Sequence, residues 1–412
     1  MATRSCPSCG RAYPDAVFFC GEDGTITVQD QSPKDFDPRL GTRIGGYIAV
    51  ARVADGAMGR VFEGRHPETK ARVAIKVLHG DVGRDRIAVE RFKREYESAM
   101  ELSHPHIVKV LEFGETSDGA PFLTMEYLEG AELGKVLGRG QLLAPARVVR
   151  ILSQVALALE HAHSFGFIHR DLKPDNIFLC RTEEGDDVRV LDFGSVKLQL
   201  EMGAKLTAIG TTVGSPFYMS PEQAMGRADV DQRTDVFALG AILYEMLTDR
   251  VAFDAPNIAK ILVKIMNDTP APPSAINTRC SAALDAVVHK ALRKNKEERF
   301  RSARDLVQAA IEGFGLQGTL EEWAHRPQAG IVKALADAPR PELKPTPLPP
   351  PPEESPRASA SSGNGEPTSP KLRLARDDGS GHAVASGVHP RTLALVAVVL
   401  LIVALLFILL RR

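Results

Sequence analysis

Two short segments bring together side chains that could transfer a phosphoryl group. Residues 169–176 read HRDLKPDN, and residues 192–194 read DFG. Such a transfer needs a carboxylate to orient the attacking hydroxyl and oxygen ligands to hold magnesium on the phosphates. Two aspartates, an asparagine and a lysine in these segments supply that set. The candidate catalytic residues are Asp171, Lys173, Asn176 and Asp192.

The elements that must position these residues change character along the chain. The apolar and β-branched pattern predicts strands first and mostly helices later. The predicted strands are residues 47–53, 59–65, 72–78 and 122–127, and the predicted helices are residues 87–102, 144–165, 234–248, 258–265 and 282–292. A strand-rich beginning followed by a helix-rich remainder favours an α+β fold over a parallel α/β sheet.

Together, the two segments and their order resemble the catalytic and metal-binding loops of bacterial eukaryotic-type (Hanks-type) serine/threonine protein kinases. The resemblance implies a two-lobe kinase domain over residues 47–315, with a β-rich N-lobe and an α-helical C-lobe. It also implies transfer of the ATP γ-phosphate to Ser or Thr of protein substrates. Lys173 stands where tyrosine kinases have an arginine pattern, which favours a serine/threonine acceptor.

The resemblance extends to a nucleotide site. Residues 54–61 read ADGAMGRV and match the kinase Gly-rich loop, except that Ala54 replaces its first glycine. Alone, this segment could equally mark an ordinary hairpin. Residues 73–76 read VAIK, whose lysine would hold the α- and β-phosphates. The implied ATP-binding residues are Val53, Ala54, Gly56, Gly59, Val61, Ala74, Lys76, Glu95, Met125, Glu126 and Leu128.

Within this set, Glu95 is the implied partner of Lys76, and Met125 is the implied gatekeeper beside the hinge, which the resemblance places at residues 126–128. The alternative for Glu95 is a surface pair with Arg91 one helical turn away, which contributes only a few tenths of a kcal/mol. In the catalytic loop, Asp171 would act as the base and Lys173 would stabilise the transferred group. Asn176 and Asp192 would bind Mg²⁺, with Mn²⁺ as the alternative ion.

Arg170 suggests regulation by phosphorylation. In the family, an arginine before the catalytic aspartate often pairs with a phosphorylated activation segment. We therefore predict autophosphorylation at Thr207, Thr211 or Thr212, and we favour the last two. Ser215 stands where these kinases commonly have threonine, and its hydroxyl could still reach the catalytic loop.

Two structural contacts are also implied by the resemblance. Glu222 should form a buried ion pair with Arg299, and Asp235 should tether the catalytic loop. Loss of one partner in such a contact leaves a buried charge without compensation.

The N-terminal residues 1–30 resemble a zinc ribbon. Cys6 and Cys9 form one CxxC knuckle, and Cys20 with Asp23 forms a second knuckle in which aspartate replaces the usual fourth cysteine. Thiolates on tight turns can converge on tetrahedral Zn²⁺. Zn²⁺ is the ion that this ligand set would bind, and the alternatives are a degenerate ribbon or free thiols.

The segments that flank the domain predict a linker on each side and a membrane anchor at the C-terminal end. Residues 31–46 read as a linker, and residues 316–391 read as a disordered linker rich in Pro, Ser and Gly. Residues 392–410 form an uncharged apolar run, and about 20 such residues span a bilayer as a helix. We expect a single-pass tail anchor in the cell membrane with a cytoplasmic kinase domain.

Net charge and the presence of the motif residues bear on which partners and which alternative functions fit the chain. The net charge of −1, from 51 basic and 52 acidic residues, argues against nucleic acid as a partner. The expected partners are protein substrates, a second copy of the chain for trans-autophosphorylation, and the membrane. The alternatives are a pseudokinase or a zinc-ribbon scaffold at the membrane. A pseudokinase would lack a residue such as Lys76, Asp171 or Asp192, and all three are present.

Overall fold

The structure is a computed structural model that describes residues 3–30, 37–56, 59–80, 82–84, 86–193 and 216–339. The chain divides into two units, Met1–Pro351 and Pro352–Arg412, and every described residue belongs to the first. The predicted membrane helix at 392–410 lies outside the described residues. Within the described ranges, we find no helix that combines the length and the apolar character needed to cross a membrane.

Residues 3–30, called the N-terminal unit below, contain a small three-stranded antiparallel sheet in the order β2-β1-β3. Its strands are β1 (Thr3–Ser5), β2 (Ala12–Pro14) and β3 (Val28–Gln29). Two equivalent turns project from it, in which Gly10 N–H donates to Cys6 O and Gly24 N–H donates to Cys20 O. Both glycines have φ near +70°, which side chains oppose and glycine tolerates.

The N-lobe is a six-stranded antiparallel sheet with one helix. Its order is β4-β5-β6-β7-β9-β8. Alternation along β7 buries Val73, Ile75 and Val77 on one face, which explains why this segment reads as a strand. The elements are β4 (Arg43–Ile44), β5 (Tyr47–Asp55), β6 (Gly59–Arg65), β7 (Arg72–Leu78), α1 (Arg86–Glu101), β8 (Val110–Glu115) and β9 (Pro121–Glu126).

In its described residues, the C-lobe is helical apart from one small sheet in the order β10-β11-β12. Helix α5 is buried from Thr234 to Thr248, so it forms the centre of this lobe rather than an amphipathic surface. The elements are β10 (Gly130–Glu132), α2 (Leu133–Val136), α3 (Pro145–Ser164), β11 (Ile177–Thr182), β12 (Gly185–Val190), α4 (Pro221–Ala224), α5 (Arg233–Thr248), α6 (Ile258–Asn267), α7 (Ala282–Ala291) and α8 (Ala303–Gly313). The predicted α+β fold, with a β-rich N-lobe followed by a helical C-lobe, is confirmed.

The structure continues beyond the predicted end of the domain at residue 315. Helices α9 (Leu320–His325) and α10 (Gln328–Asp337) follow, so the predicted linker begins too early. Trp323 and Ile331 are buried against the C-lobe core, and α9 starts with a capping box between Thr319 and Glu322. That S/T-x-x-E pattern was a readable helix signal, but the proline-rich stretch after it dominated the composition.

The predicted linker at 31–46 also contains folded residues. Strand β4 lies within it and pairs with β5, and Ile44 is 1% exposed. A strand of two residues is too short to show an alternating pattern, so the sequence did not reveal it. Residues 31–36 lie outside the described part of the chain.

Candidate active site

The catalytic loop holds its polar groups through contacts within the loop. Lys173 Nζ lies 2.8 Å from Asp171 Oδ2, and Asn176 Nδ2 donates to Asp171 O at 2.8 Å. Because the amide nitrogen is used in this way, the Asn176 oxygen remains as an acceptor for a cation. Asp171 is about one quarter exposed, at 23% of its side chain, so it can be reached by a substrate hydroxyl.

The hairpin formed by β11 and β12 brings the two segments of the motif together. Ile177 pairs with Val190, and Leu191 N–H donates to Asn176 O at 2.9 Å. Asn176 and Asp192, separated in the sequence, therefore become neighbours at the open end of the hairpin. An amide oxygen and a carboxylate are hard ligands and fit Mg²⁺, which these two residues would hold against the phosphates.

Asp235, in the first turn of α5, anchors the catalytic loop. Its carboxylate accepts hydrogen bonds from the backbone N–H groups of His169 and Arg170, at 2.8 and 2.9 Å, and contacts His163 Nε2 at 2.8 Å. Complete burial opposes its ionisation, but the hydrogen bond and charge of His163, with the His169 contacts, outweigh burial and lower the Asp235 pKa. The anchor keeps Arg170 at φ +63°, a conformation that few non-glycine residues adopt.

Lys76 and Asp192 form an ion pair across the lobes, with 3.0 Å between Nζ and Oδ1. Phe193 is 1% exposed and packs against the His169 ring at 4.8 Å between centroids. Burial of Phe193 fixes the neighbouring Asp192, whose φ is +57°. Glu95 lies in α1, and its side chain is outside what the structure describes.

A cavity of about 410 Å³ lies between the lobes beside this ion pair. Most of the predicted ATP-binding residues line it: Val53, Ala54, Val61, Ala74, Lys76, Met125, Glu126 and Leu128. Gly56 and Gly59 are not among its described lining residues. A largely apolar cavity lined by a lysine and an aspartate fits a nucleotide, with its base in the apolar part.

The Gly-rich segment explains which glycines matter. A Cβ on Gly59 would lie 2.3 Å from Val77 O, so only glycine allows β6 to approach β7 here. Gly56 N–H donates to Gly59 O at 2.9 Å and closes the turn, whose residues 57 and 58 lie outside the described residues. Ala54 pairs with Val61 as part of β5, where alanine fits without strain.

Sequence reasoning missed several residues that line the cavity. Phe178 and Leu191 come from the β11–β12 hairpin, and Arg72 and Glu129 come from β7 and the position that directly follows the hinge. Phe178 lies two positions after Asn176, and an alternating strand beginning there would have indicated it. Gln223 was also missed: its side-chain amide donates to Arg170 O at 2.7 Å and adds a second support for the catalytic loop.

The predicted activation segment is not described. Thr207, Thr211, Thr212 and Ser215 all lie in the stretch 194–215, outside the described residues. Arg170, its expected partner, is described: its Nε is buried and has no hydrogen-bond partner among the described residues. Burial lowers the pKa of this guanidinium, so an anion beside it would be favourable.

Glu222 and Arg299 form a bidentate ion pair, with distances of 2.8 and 2.7 Å between guanidinium nitrogens and carboxylate oxygens. Both side chains are almost fully buried, and Arg299 also donates to the carbonyls of Arg233 and Lys294. Burial opposes ionisation of Glu222, yet the bonds from Arg299 outweigh it and lower its pKa. This pair fixes α4 against the segment that precedes α8.

The four predicted ligands in the N-terminal unit lie together. The ligand atoms of Cys6, Cys9, Cys20 and Asp23 are all within 4.8 Å of one another. Cys9 Sγ and Cys20 Sγ are 3.6 Å apart, and Tyr13 OH lies 3.0 Å from Cys20 Sγ. Hydrogen bonds from Thr25 and neighbouring side chains hold the Asp23 pKa well below its usual range, so its carboxylate is available as a ligand. Three thiols and one carboxylate at this spacing fit Zn²⁺.

Comparison with known proteins places this geometry in a family. The family model "protein kinase domain" matches residues 47–310. The serine/threonine-protein kinases pkn3 and Pkn1 of Myxococcus xanthus are 38% and 42% identical over 74% and 75% of this chain. PknH of Mycobacterium bovis is 37% identical over 68% of it.

Solved structures agree with these sequence relatives. The PknI kinase domain of Mycobacterium tuberculosis matches with a TM-score of 0.54 and 29% identity, covering 68% of this chain and 100% of that domain. The chain spans about half the length of the curated relatives it matches, with shares of 57%, 44% and 46%. The fold, the site and these relatives together show that the chain belongs to the protein kinase family.

Proposed function

We propose that this chain is a serine/threonine protein kinase that transfers the γ-phosphate of ATP to protein substrates. The observation that carries the proposal is the continuous arrangement from the cavity to the catalytic loop. Lys76 and Asp192 are ion-paired beside the cavity, and Leu191 joins Asp192 to Asn176 through a backbone hydrogen bond. Asn176 in turn donates a hydrogen bond to Asp171 O. The residues that would bind the nucleotide, the metal ion and the substrate hydroxyl are therefore connected by direct contacts.

In this mechanism each residue has one task. Lys76 would bind phosphate oxygens, and Asn176 and Asp192 would hold Mg²⁺, which would supply positive charge beside the phosphates. Asp171 orients the substrate hydroxyl and accepts its proton. Lys173, 2.8 Å from Asp171, supplies positive charge beside the transferred group. Mn²⁺ would satisfy the same ligands.

A kinase assay with ATP and Mg²⁺ tests this proposal directly. Asp171→Asn in the full chain should lower phosphoryl transfer by at least about 100-fold, because it removes the base and its charge. The matched control is Asp254→Asn, at an exposed aspartate of the C-lobe outside the site, which should keep full activity. Absence of phosphoryl transfer by the wild type, with Asp171→Asn behaving identically, would instead support the pseudokinase scaffold.

We further propose that phosphorylation of Thr207, Thr211 or Thr212, by a second copy of the chain, activates the kinase. The support is Arg170, whose buried Nε–H has no partner among the described residues and would donate a hydrogen bond to a phosphate oxygen. Phosphopeptide mapping of active protein should find phosphate between residues 194 and 215. Absence of phosphate there, in protein that is fully active, would contradict the proposal.

The N-terminal site is proposed to hold one Zn²⁺ in a Cys₃Asp ligand set. Its support is the clustering of Cys6, Cys9, Cys20 and Asp23 within 4.8 Å. Elemental analysis of purified protein should give about one zinc per chain, and Cys9→Ser should lower that value strongly. Zinc absent from protein purified without chelators would contradict the proposal.

A membrane location is proposed for the C-terminal run at residues 392–410. Its support is the length and apolar character of the sequence. Full-length protein should sediment with membranes, with its kinase domain on the cytoplasmic side, and deletion of residues 392–412 should release it. Recovery of the full chain in the soluble fraction would contradict this location.

A further inference from the structure

The N-terminal unit is docked on the kinase lobe rather than separated from it. Arg4 is 3% exposed, and its Nη1 lies 3.3 Å from both Thr27 O and Val50 O. Thr27 belongs to the N-terminal unit and Val50 to β5, so one buried guanidinium joins the two. Gln29 Oε1 also accepts a hydrogen bond from the backbone N–H of Arg52 at 3.4 Å.

Phe18 lies between two arginines at this contact. The Arg4 guanidinium is 4.2 Å from the Phe18 ring centroid, and the Arg65 guanidinium, from β6, is 4.3 Å from it. Such cation–π contacts strengthen when they are partly desolvated. Phe18 lies two residues before Cys20, so the ring directly precedes the turn that begins at this proposed metal ligand.

Arg65 connects this contact to a buried carboxylate. Arg65 lies directly opposite Arg72 on the paired strands β6 and β7, an arrangement in which like charges repel. Glu63, 4% exposed, lies between them: Arg65 Nε donates to its Oε1 at 3.0 Å, and Arg72 donates to both of its oxygens at 2.9 and 3.1 Å. The position of Arg72 therefore depends on how Arg65 shares the carboxylate.

Arg72 ends this series at the nucleotide cavity. Its guanidinium is 3.6 Å from the ring centroid of Tyr127, in the hinge, and forms an ion pair with Glu129, which directly follows the hinge. Arg72, Tyr127 and Glu129 all line the cavity. A change at Phe18 can thus reach the hinge through three side chains that contact one another in turn: Arg65, Glu63 and Arg72.

We propose that Arg72 is a nucleotide-positioning residue whose placement is set by the N-terminal unit through Phe18, Arg65 and Glu63. The docked unit then raises the affinity of the kinase lobe for nucleotide, and bound nucleotide strengthens docking by the same factor. The inference rests on the proposed nucleotide site. It gains a metal dependence if Zn²⁺ holds the Cys20 turn, but the docking contacts themselves involve no metal ligand.

The test measures the dissociation constant of Mg·ADP for the full-length chain, so it needs no turnover. Phe18→Leu and Arg65→Gln should each weaken binding by about 3-fold to 10-fold, the range typical of coupling between linked sites. The double variant should show no more than the larger single effect, because both changes break the same connection. Arg65→Lys should restore part of the affinity, since lysine retains the cation.

The matched control is Lys70→Gln. Lys70 is an exposed cation from the same lobe that lies 4.9 Å from the ring of Phe19, but among the described residues it forms no hydrogen bond or ion pair with Glu63 or Arg72. It should leave the dissociation constant unchanged. In steady-state assays the Phe18 and Arg65 variants should raise KM for ATP and leave kcat within about 2-fold, a split that simple loss of stability would not produce.

The inference is overturned if Phe18→Leu binds Mg·ADP as wild type does, or if the two single effects add in full. Wild-type protein that fails to bind Mg·ADP refutes the proposed nucleotide site instead. Wild-type protein that binds Mg·ADP, contains no zinc and still shows the coupling refutes only the metal proposal. Zinc content and Tm of each variant distinguish these cases.

Discussion

The C-lobe holds its functional residues with fully buried charges, whereas the N-lobe holds its own with ion pairs that water can partly reach. Asp235 and the pair of Glu222 with Arg299 have side chains 0–4% exposed. In the N-lobe, Lys76 and Arg72 are 17% and 28% exposed. Buried charges are costly to disturb, and partly exposed ones can be rearranged at low cost. We therefore expect the C-lobe residues of the site to keep their positions, and the N-lobe residues to be the ones that rearrange.

The largest expected effect comes from the C-lobe anchor. Asp235→Ala should lower the free energy of unfolding by about 3–5 kcal/mol and abolish activity, because it leaves two backbone donors and His163 without their acceptor. Urea unfolding of the full chain measures the change. Asp254→Ala, at an exposed site of the same lobe, should stay within about 0.5 kcal/mol of wild type. A loss below about 1 kcal/mol at Asp235 would remove the distinction between the lobes.

A smaller effect is expected for the buried carboxylate of the N-lobe. Glu63→Gln should cost about 2 kcal/mol of unfolding free energy, because it leaves Arg65 and Arg72 facing each other with no anion between them. The cost stays below that of Asp235→Ala since Arg72 can turn towards water. Glu68→Gln, at an exposed glutamate of this lobe, serves as control in the same urea experiment. An equal or larger cost than at Asp235 would reverse the ranking of the lobes.

The stability contributed by His104, in the segment between α1 and β8, should depend on pH. Burial, with the nearby charges of His106, His161, Arg189 and His325, lowers the His104 pKa to about 4 from an ordinary 6.5. Between these values the unfolded chain binds a proton that the folded chain does not, so stability falls as pH drops from 6.5 to 4. Because His104 is partly exposed, the resulting loss is about 2–4 °C in Tm.

The measurement is Tm against pH for wild type and His104→Phe. The phenyl ring keeps the stacking on His161, whose centroid lies 5.0 Å from that of His104. The variant should show a shallower decline over this window. Parallel curves for both proteins would show that His104 does not contribute to the acid sensitivity.

The smallest effect is expected at the departure from the Gly-rich pattern. Ala54→Gly restores the family residue but should lower stability by about 0.5 kcal/mol, because glycine is less favourable in a strand and Ala54, in β5, pairs with Val61 of β6. The affinity for Mg·ADP should change less than about 2-fold, since a single small side chain adds little to a nucleotide contact. A gain in affinity of 10-fold or more would show that the alanine restricts the loop.

Much of the catalytic loop could be predicted, because family motifs are local. The residues of 169–176 and Asp192 are joined by a short hairpin, so spacing along the chain reflects spacing in the fold. The neighbours Arg72, Glu63 and Gln223 could not be predicted in this way. Glu63 reads as one charge in a strand, and only the register of β6 against β7 places it between two arginines. The helices α9 and α10 were missed because their burial depends on a distant partner, helix α3.

The sequence by itself determined the chemistry of the site: the types and order of Lys76, Asp171, Asn176 and Asp192, and the strand-to-helix change that builds two lobes. Local motifs carry this information because each requires particular side chains at short spacing. Only the tertiary structure decided that the N-terminal cysteine unit rests on β5 and that a line of charges joins it to the hinge. Contacts between strands distant in sequence depend on register and packing, which no local pattern specifies.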